Sequence, residues 1–210
     1  MHIRTVKIVM GLWLAGIPLS AAAEDVPSYA TLPLQPPHAT TIISAPYTDH
    51  VALDRAANAY STPKAIANFL KREFTFKRDL DLFGEADHWQ SPDEFLAQQA
   101  GDCEDYALLA QALLRRHGFE ALIFSVFGED GYAHTVAVFV DQDGRYDVIN
   151  QDRLELTHVQ SLEAIASRLY PAWTYAAIVE QDGSYGQPVK EFFNENPAAS
   201  PAQDPASFLF

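Results

Sequence analysis

The chain has 210 residues, 14 of them Lys or Arg and 28 Asp or Glu, giving a formal net charge of −14 with 48% apolar residues and one Cys. This composition excludes wholesale disorder, collagen-like repeats and a many-span membrane protein, and the length suits one domain whose core needs no metal or disulfide staple. A lone Cys makes neither an intramolecular disulfide nor a four-Cys zinc site, and so acidic a chain repels phosphate backbones, which argues against nucleic acid as a partner.

Residues 1–23 read as a signal peptide. Arg4 and Lys7 form its positive start, residues 8–19 an uncharged and mostly apolar run, and Ala21-Ala22-Ala23 the small-residue cleavage signature. The run is shorter than the roughly 20 residues of a spanning helix. The protein is therefore expected to meet the membrane only through this segment before cleavage, and to be periplasmic or secreted. No Cys lies near the cleavage point, so a lipoprotein anchor is not expected. Residues 24–58, which hold Pro27, Pro33, Pro36, Pro37 and Pro46, read as a Pro-rich arm. One domain is expected over 59–187. Residues 188–210, with Asn-Pro, Ser-Pro and Asp-Pro steps, read as a flexible tail, and Phe208-Leu209-Phe210 as its frayed end rather than a docking element.

Within the domain, Thr62 and Pro63 are an N-cap and N1 pair for a helix to about residue 76, with Ile66, Phe69, Leu70 and Phe74 on one stripe. Ser91-Pro92-Asp93-Glu94 is a capping box that opens a short helix to about residue 99. Gly101-Asp102 breaks it. A second helix is predicted over 103–117, closed by Gly118, and its apolar positions nearly encircle it, so its first three turns should be buried. Strands follow over 119–127, 133–140 and 145–150, joined by Gly128-Glu129-Asp130-Gly131 and Asp141-Gln142-Asp143-Gly144 turns. Ser161 caps a last helix to about residue 169, and 175–179 suit a final strand. Helices first and an antiparallel sheet second make an α+β fold.

Cys103 falls at the first turn of the buried helix. Backbone N–H groups and the helix dipole there should lower the thiol pKa, and the same N–H groups can meet a developing oxyanion. A free Cys is commonly just a small buried hydrophobe. This one stands among acids at a helix start, which favours a nucleophile. A thiolate nucleophile needs a base and an orienting group. His134 opens the central predicted strand, and Asn150 ends the next, placed to align the imidazole as in Cys-His-Asn sites. Asp147 competes for that role but lies three residues earlier, on the opposite strand face. His38, His50, His88, His117 and His158 read as surface residues.

The run Gly101-Asp102-Cys103-Glu104-Asp105-Tyr106-Ala107, then Ala133-His134, then Tyr146-Asp147-Val148-Ile149-Asn150 resembles the core of the transglutaminase-like superfamily, with Trp89-Gln90-Ser91-Pro92 as its approach. The resemblance covers about residues 60–180 and is greatest to the bacterial transglutaminase-like cysteine proteinases. It implies a papain/transglutaminase-like fold, with the catalytic helix packed on an antiparallel sheet. It also implies a thiol hydrolase that acts on a protein or peptide carbonyl of the cell envelope through a thioester. Asn150 departs from the family pattern, which has Asp. An amide orients a His but lends it no charge, which leaves room for a degenerate enzyme. Two further readings share the fold: acyl transfer to an amine, and a non-catalytic envelope binding module. The dyad itself requires no cofactor. Some periplasmic members depend on calcium held by acids flanking the Cys, which match Asp102 and Glu104. The plainer reading of those acids, an N-cap and a first-turn acid favoured by the dipole, stands beside it.

Overall fold

The computed structural model describes residues 50–180 and 187–198. Its helices begin where the local chemistry directs. Helix α1 spans Val51–Ala59 and α2 spans Pro63–Glu73, with Thr62 Oγ1 accepting from the Ala65 N–H at 3.2 Å. α2 stops short of residue 76 because Phe74 turns extended and Thr75–Phe76 becomes strand β1. A single-turn α3 (Asp79–Leu82) follows. α4 spans Pro92–Gln98 behind the Ser91–Glu94 capping box, whose two bonds measure 3.3 and 2.7 Å. β2 (Ala100–Gly101) then pairs in parallel with β1.

Helix α5 (Cys103–Arg116) is the centre of the domain, and Gly118 beyond it takes the left-handed conformation at φ +78° that suits a helix end. Leu108, Leu109, Leu113 and Leu114 are fully buried, each stabilising the fold by about 1.5–3 kcal/mol relative to exposure. The remaining elements are β3 (Ala121–Gly128), β4 (Ala133–Val140), β5 (Tyr146–Asn150), β6 (Arg153–Val159), α6 (Leu162–Leu169), β7 (Trp173–Glu180) and β8 (Gln187–Phe193). They form a six-stranded antiparallel sheet in the order β6-β5-β4-β3-β7-β8.

The sheet is covered on both faces. Ile123, Ala137, Phe139 and Ile149 pack against α1, α2, α4 and α5. Phe124, Val126, Val136, Val138 and Val148 pack with α6 and Phe192. Burial on both faces is why β4 shows no apolar–polar alternation.

Two expected boundaries move. α1 lies largely within the stretch assigned to the arm, because Leu53, Ala56 and Ala57 enter the core. β8 lies where the tail was expected to begin, as an edge strand that buries Phe192. The proposed signal peptide, most of the arm and the end of the tail lie outside the described residues. Among the described residues no helix is long and apolar enough to cross a membrane.

Candidate active site

The approach to Cys103 is held by a buried carboxylate. Asp105, in the first turn of α5, accepts from the Gln90 N–H at 2.8 Å, the Gln90 Nε2–H at 2.7 Å and the Asp102 N–H at 3.2 Å. The second Gln90 Nε2–H reaches the Ala100 carbonyl at 3.0 Å. Burial still pushes the Asp105 carboxyl up to about 7, against the pull of these donors. Gly101 sits inside this knot. A Cβ there would lie 2.0 Å from Asp105 Oδ2 and 2.6 Å from Gln90 Nε2, so no side chain fits. The Lys77 N–H donates to the Gly101 carbonyl at 2.8 Å and ties the segment to the end of β1. The Gly-Asp-Cys-Glu-Asp run thus has a packing reason at its first and last positions.

Cys103 is half-buried at the start of α5. Its thiol donates to Glu104 Oε2 at 3.1 Å, and the backbone N–H of Thr135 in β4 lies near enough to its sulfur to favour the thiolate. The helix start does not win the contest for its pKa. Packing around the sulfur, followed by the charges of Glu104 and Asp102, pushes the thiol well above its ordinary value, and Thr135 opposes only in part. A helix N-terminus is worth at most about 2 kcal/mol, less than burial beside two carboxylates. The lowered thiol expected from sequence is therefore not found in the protein alone.

The imidazole stands one residue before the thiol's backbone partner. His134 Nε2 bonds Asn150 Oδ1 at 2.8 Å, and Asn150 Nδ2 donates to Glu155 Oε1 at 2.9 Å. Because Nδ2 is committed to a carboxylate, the atom facing His134 is an oxygen, which only accepts. Nε2 therefore carries the proton in the neutral ring, and Nδ1 keeps a free lone pair. Burial lowers the His134 pKa, while the Asn150 bond and the Glu155 charge raise it. Asp147 is turned elsewhere, accepting from the His158 N–H at 3.0 Å. The structure thus joins His134 to Asn150 and brings Cys103 against the start of the same strand. Among the described residues no hydrogen bond joins the thiol to His134; the thiol donates to Glu104. Of the histidines read as surface residues, His117 instead bonds the Ala57 carbonyl at 3.0 Å.

A second group of acids borders the thiol. Asp79, only 1% exposed, comes from α3, Asp87 from the following loop, and Asp102 and Glu104 from the start of α5. In two overlapping sets, Asp79-Asp87-Glu104 and Asp79-Asp102-Asp105, ligand atoms lie within 4.8 Å of one another. Asp79 Oδ1 and Asp102 Oδ1 are buried without a hydrogen-bond partner. Burial raises the Asp79 carboxyl, Asp102 and Asp87 add to this, and the His88 N–H opposes it. Burial and the neighbouring Asp102 raise Glu104 as well. Hard oxygen donors with unmet valence and crowded negative charge fit a calcium ion. Asp102 occupies the N-cap position, yet its Oδ2 accepts from the Asp79 N–H at 3.3 Å, so it bridges to α3.

Sequence reasoning missed Asp79, Asp87 and Glu155. Leu154-Glu155-Leu156 carries a weak alternation straight after Asn150, the signal from which a hairpin, and with it Glu155, could have been read.

The fold is transglutaminase-like. The family profile described as the transglutaminase-like superfamily matches residues 50–150, the stretch that carries Cys103, His134 and Asn150. Among solved structures, LapG of Legionella pneumophila in a calcium-bound form is 18% identical over 66% of this chain and 80% of its own, with a TM-score of 0.44. Its EGTA-treated form is 19% identical over 60% and 69%, with a TM-score of 0.42. A candidate cysteine protease from Cytophaga hutchinsonii is 18% identical over 50% of this chain and 38% of that one, with a TM-score of 0.40. No curated protein matches the sequence.

Proposed function

We propose that the protein is an exported cysteine peptidase or amidase acting on a protein or peptide carbonyl in the cell envelope. The observation that supports it is the meeting of the Cys103 thiol, at a helix start, with the strand whose His134 is aligned by Asn150. In this reading His134 Nδ1 takes the Cys103 proton and the sulfur adds to the substrate carbonyl, whose oxyanion the Cys103 backbone N–H helps to hold. The imidazolium passes its proton to the departing amine, leaving a thioester. His134 then deprotonates water, which adds to the thioester and releases the acid and the restored thiol.

Asp102 and Glu104, joined by Asp79 and Asp87, would hold a calcium ion. When bound it offsets the negative charge beside Cys103. The orphaned oxygens of Asp79 and Asp102 support this assignment. Export is read from residues 1–23 alone.

The test is cleavage of an envelope extract followed by N-terminal peptide mapping, with iodoacetamide labelling read by mass spectrometry. Cys103→Ala should abolish every wild-type cleavage, and His134→Ala should slow it by about 10²–10⁴-fold. Cleavage that survives in Cys103→Ala, or a thiol no more reactive in calcium than an ordinary free one, sinks the reading.

A further inference from the structure

His134, Asn150 and Glu155 form a diagonal row across three neighbouring strands. The Ala137–Ile149 pairing of β4 and β5 sets Asn150 opposite Val136, so His134 is its diagonal neighbour on one face. The Asn150–Arg153 and Val148–Glu155 pairings place Glu155 diagonal to Asn150 on that same face. The hydrogen bonds follow this row, 2.9 Å from Asn150 Nδ2 to Glu155 Oε1 and 2.8 Å between Asn150 Oδ1 and His134 Nε2.

We propose that Glu155 is a positioning residue for the reaction read above: its carboxylate fixes the Asn150 amide so that His134 holds its proton on Nε2 and keeps Nδ1 for Cys103, and it lends the row the negative charge that an amide lacks. The inference rests on the peptidase reading for its purpose, and on the hydrogen-bond row alone for its geometry.

An amide has two nearly isosteric ends. Turned over, Asn150 would offer Nδ2–H to His134, whose Nε2 would then have to accept, and the ring proton would move to Nδ1. The lone pair on Nδ1, which the reaction needs as its base, would be lost. Glu155 forbids that rotation, because it would set Oδ1 against a carboxylate and break a charge-assisted bond. The ring is bordered by Tyr132 before β4 with ring centroids 6.3 Å apart, by Asn150 of β5 and, through the Asn150 amide, by Glu155 of β6. Of these, Glu155 is the carboxylate whose charge favours the imidazolium.

The experiment is a pH titration of the His134 ring nitrogens by ¹⁵N–¹H NMR in calcium-containing buffer, for the wild type, Glu155→Gln and Glu155→Leu. Glutamine keeps an acceptor and loses the charge. The Nε2–H form should persist, while the His134 pKa falls by about half a unit to one unit. Leucine removes both, and the preference for Nε2–H should be lost. Asn150→Asp places a charge directly on the ring, so the His134 pKa should rise above that of the wild type. An unchanged His134 pKa in Glu155→Gln overturns the inference, and that variant decides alone if the leucine protein fails to fold. The readout needs no substrate. If His134 responds as expected while the wild type cleaves nothing, the positioning role stands and the peptidase reading falls.

Discussion

Gly101 is the residue at which the site tolerates least. Its missing side chain lets Gln90 and Asp105 close over the backbone just before the Cys, with a hypothetical Cβ 2.0 Å from a carboxylate oxygen. Asp105 is itself part of the helix start, so it cannot swing away without releasing the Asp102 N–H and both Gln90 donors. Gly101→Ala should therefore cost about 3 kcal/mol of folding stability, an overpacking penalty at the upper end of the usual range. Urea unfolding followed by circular dichroism measures it. A midpoint within experimental error of the wild type would mean that the knot has slack the distances do not suggest.

Between residues and fold, the elements around the α5 start show what was legible in the sequence. Thr62, Ser91 and Ser161 all act as helix caps through their hydroxyls, because capping is decided within four residues of chain. The His134–Asn150 pairing was legible for a similar reason, since hairpin parity alone separates Asn150 from Asp147. The edge strands were not legible. β6 is mostly half-exposed and β8 carries Pro188, Lys190 and Glu191, polar devices that protect a sheet edge and make it read as loop. Glu155 was hidden along with β6. α3 was hidden too, because one turn of helix has no periodicity, and with it went Asp79. The acid cluster exists only where α3 meets the start of α5, so its energetics test that meeting. Without a cation, Asp79 lies beside Asp102 with an orphaned oxygen on each. Asp79→Asn removes one repelling charge while keeping an acceptor for the His88 N–H. It should raise the melting temperature in EGTA by about 2–4 °C, the shift that about 1 kcal/mol gives at this size, and shrink the rise that calcium produces. Asp81→Asn, which loses only an exposed 3.0 Å pair with Arg78, should change neither. A drop in EGTA for Asp79→Asn would show that this carboxylate is stabilising and needs no ion.

Across the whole molecule, the buried acids and the buried histidine pull the pH dependence in opposite directions. Asp79 and Asp105 are raised above the unfolded value of 3.8, so the folded state holds more protons than the unfolded one above that pH. Their contribution is complete below the unfolded value and is lost as pH rises through the folded values, which for Asp105 is about 7. His134 is lowered from 6.5, so its contribution is present above 6.5 and is lost as pH falls through its folded value. One histidine opposes Asp79 and Asp105, with Asp87 and Glu104 raised alongside them, and a chain of formal charge −14 gains self-repulsion as each acid ionises. In EGTA, stability should therefore decline from about pH 5 to about pH 8. A calcium ion held by the acid cluster would reverse the slope, since a cation competes with protons for the same carboxylates and binds best when they are ionised. The increment in melting temperature on adding calcium should then grow with pH over that window. Differential scanning fluorimetry at matched ionic strength, with EGTA or calcium at each pH, measures both slopes. If stability in EGTA rises with pH, the acids ionise without cost in the fold. If the calcium increment stays flat while the EGTA slope falls as expected, the acids are buried and strained but do not hold the ion.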